Sequence, residues 1–426
     1  MNENTHYYLN HNHKKTYGVM WFIQLIFACC IVCWLLNPIS SNITLLTAFT
    51  VGWISVTILM YKNDFMNIYS SGEALKMYIW PIILLFYGLA GHATFSFSYV
   101  LYIIIFCIGV FYLIIRDRKS CLIISFLSIV YVSIISVRTL ILYQIKPNIS
   151  RILAYGDPEK IAKYGGEKYL SPFIADYDTV YGTVFLFFVF IALLSNNKTL
   201  TKQHKVFVLP ATIIFSFLIL RAQYFTALLM WIVSICIVLV TKQKQQKNRI
   251  LLTMLLAMIL FILLSFGSRL LNYLSELPDI GYNFSAKLKE LAGMLDGNAG
   301  DSEGDIGSRS YYYGISIKGF SNHLLFGSGN INNLYVGYGN HSTILDAFAQ
   351  FGLIGGLPFI IYYITPISMI KKHLDDERKS VFSLLLVLLF ILSILNRSNT
   401  RTDFALIYIV IPMILTSFRV NPEKQK

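Results

Sequence analysis

Long apolar stretches alternate with short polar connections along almost the whole chain. Runs such as MWFIQLIFACCIVCWLL and YIIIFCIGVFYLII carry no charged residue at all. A helix needs roughly 20 such residues to cross hydrocarbon, because each backbone N–H and C=O must find its partner inside the segment. The pattern predicts twelve spans, at residues 18–36, 43–60, 77–92, 96–115, 121–143, 176–195, 205–220, 222–240, 249–267, 343–369, 379–396 and 402–418. The expected fold is therefore all-α, a polytopic membrane helical bundle forming a single integral membrane domain over residues 1–426.

The polar connections divide into two kinds. One set is basic: KKTYG, YKNDFMNIYSSGEALK, RDRK, KTLTKQHK, TKQKQQKNR, KKHLDDERK and the tail RVNPEKQK. The other set is acid-balanced or nearly neutral. Basic loops stay in the cytoplasm, so both termini are expected there. The external side then holds two loops too long to be simple connectors, about 144–175 and 268–342. Within the second, NFSAKLKELAGML sets Leu288, Leu291 and Leu295 on a helical period, with Asn283 and Ser285 as candidate caps. Short helices at the outer membrane surface are expected there.

Composition agrees and excludes other classes. The 426 residues are 56% hydrophobic and only 13% charged, where soluble proteins carry about 25%. The formal charge of +13 could suggest a nucleic-acid partner. Its dispersal into small inter-span clusters argues against one. Cys29, Cys30, Cys33, Cys107, Cys121 and Cys236 lie in or beside apolar segments, which points to packing rather than to a disulfide framework. No cleavage-site pattern follows the polar first seventeen residues, so the first span is expected to remain as an anchor.

Candidate chemistry rests on polar residues at membrane edges. Arg138, near the outer end of the fifth span, either snorkels to the interface or contacts an anion. Arg221 interrupts FSFLILRAQYFTALLMWIV, where two spans turn back on each other. An arginine beside helix N-terminal amides suits phosphate. Arg309 stands in GDIGSRSYYYGISIKGF and could instead pair with Asp301, Glu303 or Asp305. Those acids fail the calcium-loop spacing and read as a solvated loop. His341 opens HSTILDAFAQFGLIGG at the entry to a span. It is either an incidental interfacial residue or an acid/base group.

HSTILDAFAQFGLIGG, the upstream RSYYYGISIKGFSNHLLFGSG and the arginine between two spans together resemble the O-antigen polymerase and O-antigen ligase superfamily. The resemblance implies a GT-C-like, inverting, metal-independent glycosyltransferase with no cofactor. It further implies undecaprenyl diphosphate-linked oligosaccharides as donor and acceptor, membrane lipid as surroundings and a chain-length regulator protein as partner. Arg221 and Arg309, with Arg138 as a third, would bind the diphosphate. His341 would act on the acceptor hydroxyl or touch the diphosphate. Tyr311, Tyr312, Tyr313, Tyr335 and Tyr338 could stack on sugars, and Asp176 or Asp178 could serve as bases. The bacterial cytoplasmic (inner) membrane is the implied location, with the site on its external face. The reading is a surface-polysaccharide polymerase. Its rivals are a ligase that transfers finished glycan to lipid A core, and a lipid-linked oligosaccharide flippase.

Overall fold

The computed structural model describes residues 18–37, 43–91, 96–147, 149–153, 158–163, 171–195, 200–242, 269–277, 285–286, 288–289, 292–293, 305–329, 338–339, 341–398 and 400–418. Their regular structure is helical, with no strand among the described residues. The chain is a polytopic helical membrane protein. In order the helices are α1 (Val19–Leu35), α2 (Ile43–Tyr69), α3 (Gly72–Leu89), α4 (Ser98–Ile114) and α5 (Arg118–Tyr143). Two short ones follow, α6 (Ile149–Leu153) and α7 (Pro158–Lys163), then α8 (Tyr177–Ser195), α9 (Lys202–Ala222) and α10 (Phe225–Lys242). After them come α11 (Asp305–Asn322), α12 (Thr343–Lys372) and α13 (Asp376–Leu395). A last rod, α14, joins Arg401–Phe404, a π-helical stretch Ala405–Val410 and Ile411–Ser417.

Eight of these helices are long and apolar enough to cross a membrane, and α1 and α4 are shorter apolar ones. Eleven predicted spans thus fall on described helices; the twelfth, 249–267, lies outside the described residues. Several helices outrun their apolar stretch. α2 continues to Tyr69 after a kink at Tyr61, and α3 begins at Gly72 rather than 77. Side-chain caps explain such starts, since an acceptor at the N-cap satisfies an otherwise orphaned N–H beyond the lipid. Ser71 accepts from Ala74 N at 3.1 Å, Thr201 from His204 N at 3.2 Å and Asp375 from Arg378 N at 3.0 Å. The longer of the two loops expected outside carries helix as expected, though α11 is an 18-residue helix rather than a short one. Described residues between 285 and 293 are helical, and Ser285 Oγ donates to Ser275 O at 2.6 Å. Asn283, Leu291 and Leu295 lie outside the described residues.

The bundle centre is α14. All of its residues from Thr402 to Leu415 are buried, packed against α4, α5 and α8. The outer helices bury one side and leave the other bare: Leu59, Leu89, Phe217 and Phe390 are each more than half exposed. Water would penalise so much apolar surface; lipid does not.

α12 is broken within its length. Gly352 has φ 59 and ψ −158, a conformation open essentially only to glycine. The break frees backbone groups, and a second segment takes them. Residues 324–329, LLFGSG, lie directly alongside. Leu353 N donates to Leu324 O at 2.8 Å and Ile354 N to Leu325 O at 3.0 Å. In return Ser328 N donates to Ala349 O at 2.9 Å and Gly329 N to Gln350 O at 3.0 Å. Tyr87 from α3 donates to Phe351 O at 2.7 Å. The backbones touch: a Cβ on Gly327, itself at φ 72, would come within 2.3 Å of Gln350, and one on Gly352 within 2.4 Å of Leu325. Gly352 ends one helical segment and starts another, while an added Cβ at Gly355 would meet Phe351 and, at 3.5 Å, Tyr87 of α3, and one at Gly356 the Phe348 ring.

Gly352→Ala should cost about 1–3 kcal/mol from its backbone conformation alone, with the carbonyl collision added. Gly314→Ala, in α11 with nothing near its missing Cβ, should be neutral or stabilising by up to about 1 kcal/mol. Thermal unfolding midpoints of the two variants in one detergent compare them; equal midpoints would contradict the clasp.

Candidate active site at the end of the bundle

The start of α12 is held by reciprocal hydrogen bonds. Ser342 caps it, accepting from Leu345 N at 3.2 Å, while Ser342 N donates to Asp346 Oδ2 at 2.9 Å. The other Asp346 oxygen accepts from Ser316 Oγ of α11 at 2.6 Å, and Ser316 Oγ accepts from Gly339 N at 2.9 Å. With both oxygens engaged, Asp346 is an anchor between α11 and α12. That joint and the clasp at Gly352 pin α11 at two places.

His341 stands just before this cap, half-buried, with its ring 4.5 Å from that of Tyr312. Tyr312 also meets Tyr311 at 5.7 Å, and Tyr311 is 60% exposed. The hydroxyl of Tyr313 is engaged, donating to Leu395 O at 2.6 Å. Arg309 lies in α11 one turn before Tyr312 and Tyr313; its side chain is outside the described residues, as is Tyr335. Burial pushes the Tyr338 phenol up, the Asp346 charge adds to this, and the Arg397 guanidinium opposes it.

A second group comes from α8, α9, α10 and the α13–α14 connection. Asp176 caps α8, its Oδ1 accepting from Thr179 N at 2.8 Å and Thr179 Oγ1 at 2.6 Å. Burial raises the Asp176 pKa, which the Thr179 bonds and the Arg401 charge counter. Asp178 follows in the first turn of α8, within the fields of Arg397 and Arg401. Tyr177, Tyr181 and Tyr224 cluster beside them, with Tyr177 to Tyr224 at 4.8 Å. Asn396 Nδ2 donates to the Tyr177 hydroxyl at 2.6 Å, and Asn396 O accepts from Thr343 N at 3.3 Å. The two groups therefore share one end of the bundle.

Arg221 sits exposed in the last turn of α9, where the helix dipole favours a cation. Gln223, in the left-handed conformation, closes the turn, and Tyr224 ties it to α8. Arg138 lies beside the segment that leads into α8. Its guanidinium lies 5.8 Å from the Phe173 ring, beside a loop that Thr139 fixes by accepting from Ala175 N at 2.7 Å.

Sequence reasoning missed Arg397 and Arg401. Arg397 is exposed and its charge reaches Tyr99 and Tyr338; half-buried Arg401 reaches Tyr102 and Asp176 and lies 5.2 Å over the Trp34 ring. Two signals were there to read in RSNTRTD. Two arginines stand within five residues of each other in a short connection between two apolar spans, where charge is costly unless it has a task. Thr400 and Asp403 have capping-box spacing, and the box forms, with Asp403 N donating to Thr400 Oγ1 at 3.3 Å and Thr400 N to Asp403 Oδ2 at 3.4 Å.

Residues 210–360 match the family model described as O-antigen ligase, which supports the O-antigen ligase and polymerase superfamily. The match contains Arg221, Arg309 and His341, while Asp176, Asp178, Arg397 and Arg401 fall outside it. No curated protein matches the chain.

The raised pKa of Asp176 makes a pH prediction. The folded protein holds this proton more tightly than the unfolded chain, so the carboxyl detracts from stability as pH rises above the ordinary carboxylate value. Asp176→Asn keeps a good N-cap and removes the titration. Its unfolding midpoint should fall less from mildly acidic to neutral pH than that of the wild type; parallel profiles would refute this.

Proposed function

The chain carries a domain of the O-antigen ligase family, and from that premise we propose that it polymerises a surface polysaccharide at the external face of the bacterial cytoplasmic membrane. The donor is a glycan on undecaprenyl diphosphate, and the acceptor is a hydroxyl on the terminal sugar of a second lipid-linked repeat unit. The observation that carries the reading is the meeting of His341, Tyr312 and the clasped α11 with an arginine-rich group at one end of an apolar bundle.

The acceptor oxygen bonds to the anomeric carbon as the bond from that carbon to the phosphate oxygen breaks, with inversion. His341 takes the acceptor proton. Charge that builds on the departing diphosphate is met by Arg221 and Arg309, whose fixed guanidinium groups act without a metal in a site of low dielectric. Tyr311 and Tyr312 offer ring faces to sugars, Tyr311 being the more exposed. Arg138, held against Phe173, has the weaker claim on phosphate. Asp176 is committed to capping α8, which leaves Asp178 as the alternative base. A chain-length regulator protein would act on such a polymerase from outside the bundle.

A ligase is the second reading, because the matching family is described by that activity. It would use the same donor site and differ only in its acceptor. A flippase would need charged residues along a central path through the membrane, whereas α14 fills the bundle centre with apolar side chains.

The glycan profile of a strain lacking the protein separates these readings. Loss of a polymerase leaves single repeat units, loss of a ligase leaves lipid-linked polymer, and loss of a flippase leaves no surface repeat at all. Arg221→Ala and Arg309→Ala should each reduce transfer by about 10²–10³-fold, the range for removing one charge-stabilising donor, while the protein still reaches the membrane. Normal chain-length ladders from either variant would overturn the diphosphate assignment. Transfer by the purified protein should survive EDTA; a strict need for a divalent ion would count against the mechanism.

A further inference from the structure

Arg397 stands on a fixed base. It is itself exposed, yet its neighbours Asn396 and Ser398 are buried, at 6% and 7% exposure. Both neighbours are tied down. Asn396 is extended, with φ −159 and ψ 175, and its N donates to Leu392 O at 2.7 Å. Its O accepts from Thr343 N at 3.3 Å, and its Oδ1 accepts from Arg397 N at 3.0 Å. Ser398 N donates to Thr343 Oγ1 at 2.8 Å. Thr343 follows His341 by two residues, so these bonds join the backbone on either side of the arginine to the segment that carries the histidine. The charge of Arg397 reaches Asp178, half-buried in the first turn of α8. The two nevertheless form no ion pair, and among the described residues neither charged end has a hydrogen-bond or ion-pair partner. Tyr177, next to Asp178 and half-buried, has its hydroxyl engaged by Asn396 Nδ2 at 2.6 Å and by the Tyr181 hydroxyl at 3.0 Å. Its ring is what it has left to offer.

We propose that Asp178, Arg397 and the ring of Tyr177 form the subsite that holds the acceptor sugar. This rests on the glycosyl-transfer reading and adds which residues select the acceptor. A carboxylate only accepts hydrogen bonds and a guanidinium only donates them, so a space between the two fits groups that do both. Sugar hydroxyls do both, and an aromatic ring suits the apolar face of a sugar. Asp176 and Asp178 balance Arg397 and Arg401 in charge, so the place favours an uncharged polyhydroxyl over an ion. Its position in the chain agrees. A ligase and a polymerase would share the donor and differ in the acceptor, and Tyr177, Asp178 and Arg397 all stand outside the family match at residues 210–360.

The test uses the full chain in lipid vesicles, with substrates from a strain that lacks it. The lipid-linked repeat unit is the donor, and the same oligosaccharide, freed from its lipid by mild acid and labelled, is the acceptor. Arg397→Gln and Asp178→Asn should each raise KM for the free oligosaccharide about tenfold, the loss of one hydrogen bond to a charged group. Both should leave kcat and the KM for the donor within about twofold. Arg397→Lys, which keeps a donor but not the fork, should fall between wild type and Arg397→Gln. The double variant should be about a hundredfold worse than wild type, since each side chain holds its own hydroxyl. A double variant no worse than either single one would show that the two charges merely balance each other, and would overturn the proposal. A rise in donor KM would assign Arg397 to the diphosphate and overturn it too, as would a fall in kcat with acceptor KM unchanged. Wild type that elongates lipid-linked units but never the free oligosaccharide would sink the subsite and leave glycosyl transfer standing. Wild type that leaves the lipid-linked unit unchanged would defeat the glycosyl-transfer reading itself.

Discussion

A helix that breaks near lipid leaves N–H and C=O groups that water cannot reach, so protein must answer every one of them. The break at Gly352 and its answer by residues 324–329 are the constraint on which the candidate site depends. The donated and accepted bonds run in both directions, so neither segment can shift without orphaning groups on the other. Because the clasp follows α11 directly, it sets where that helix stops. The Ser316–Asp346 bond then sets the distance of α11 from the start of α12. His341 and Tyr312 meet between these two fixtures.

The same break divides α12 into a short and a long segment. Residues 353–372 would alone rise about 30 Å, enough to cross the hydrocarbon. Residues 343–351 form the short segment, with His341 just before its cap. Leu324, Leu325 and Phe326, each more than half exposed, suit a clasp resting in the interface. The opposite end of the bundle has the complementary character: Lys372 pairs with Glu73, Lys119 lies 4.9 Å over Trp21, and Arg118 reaches Ser417 O.

Legibility in the sequence followed the range of the forces involved. Spans were readable because lipid acts on each segment separately, and eleven of twelve coincide with described helices. Their ends were not, since caps such as Ser71 and Thr201 prolong helices past the apolar run. Glycines in FGSG and FGLIGG were visible, but their meaning required knowing that the two segments touch. Arg397 and Arg401 had no motif to mark them, and their neighbours Tyr338, Asp176 and Trp34 are far away in the chain. The anchoring of Asp346 by Ser316 had no local signal, the two being thirty residues apart in the chain.

The position of α14 bears on how the molecule is made. The last described helix is also the most enclosed, flanked by α4, α5 and α8, all of which emerge from the ribosome long before it. Those earlier helices must either hold a vacancy lined with apolar side chains until α14 is inserted, or part to admit it. Arg397, Arg401 and Asp403 therefore reach their neighbours on α1, α4 and α8 only when α14 is in place. Until then the earlier helices have an unfilled centre and only part of their polar rim.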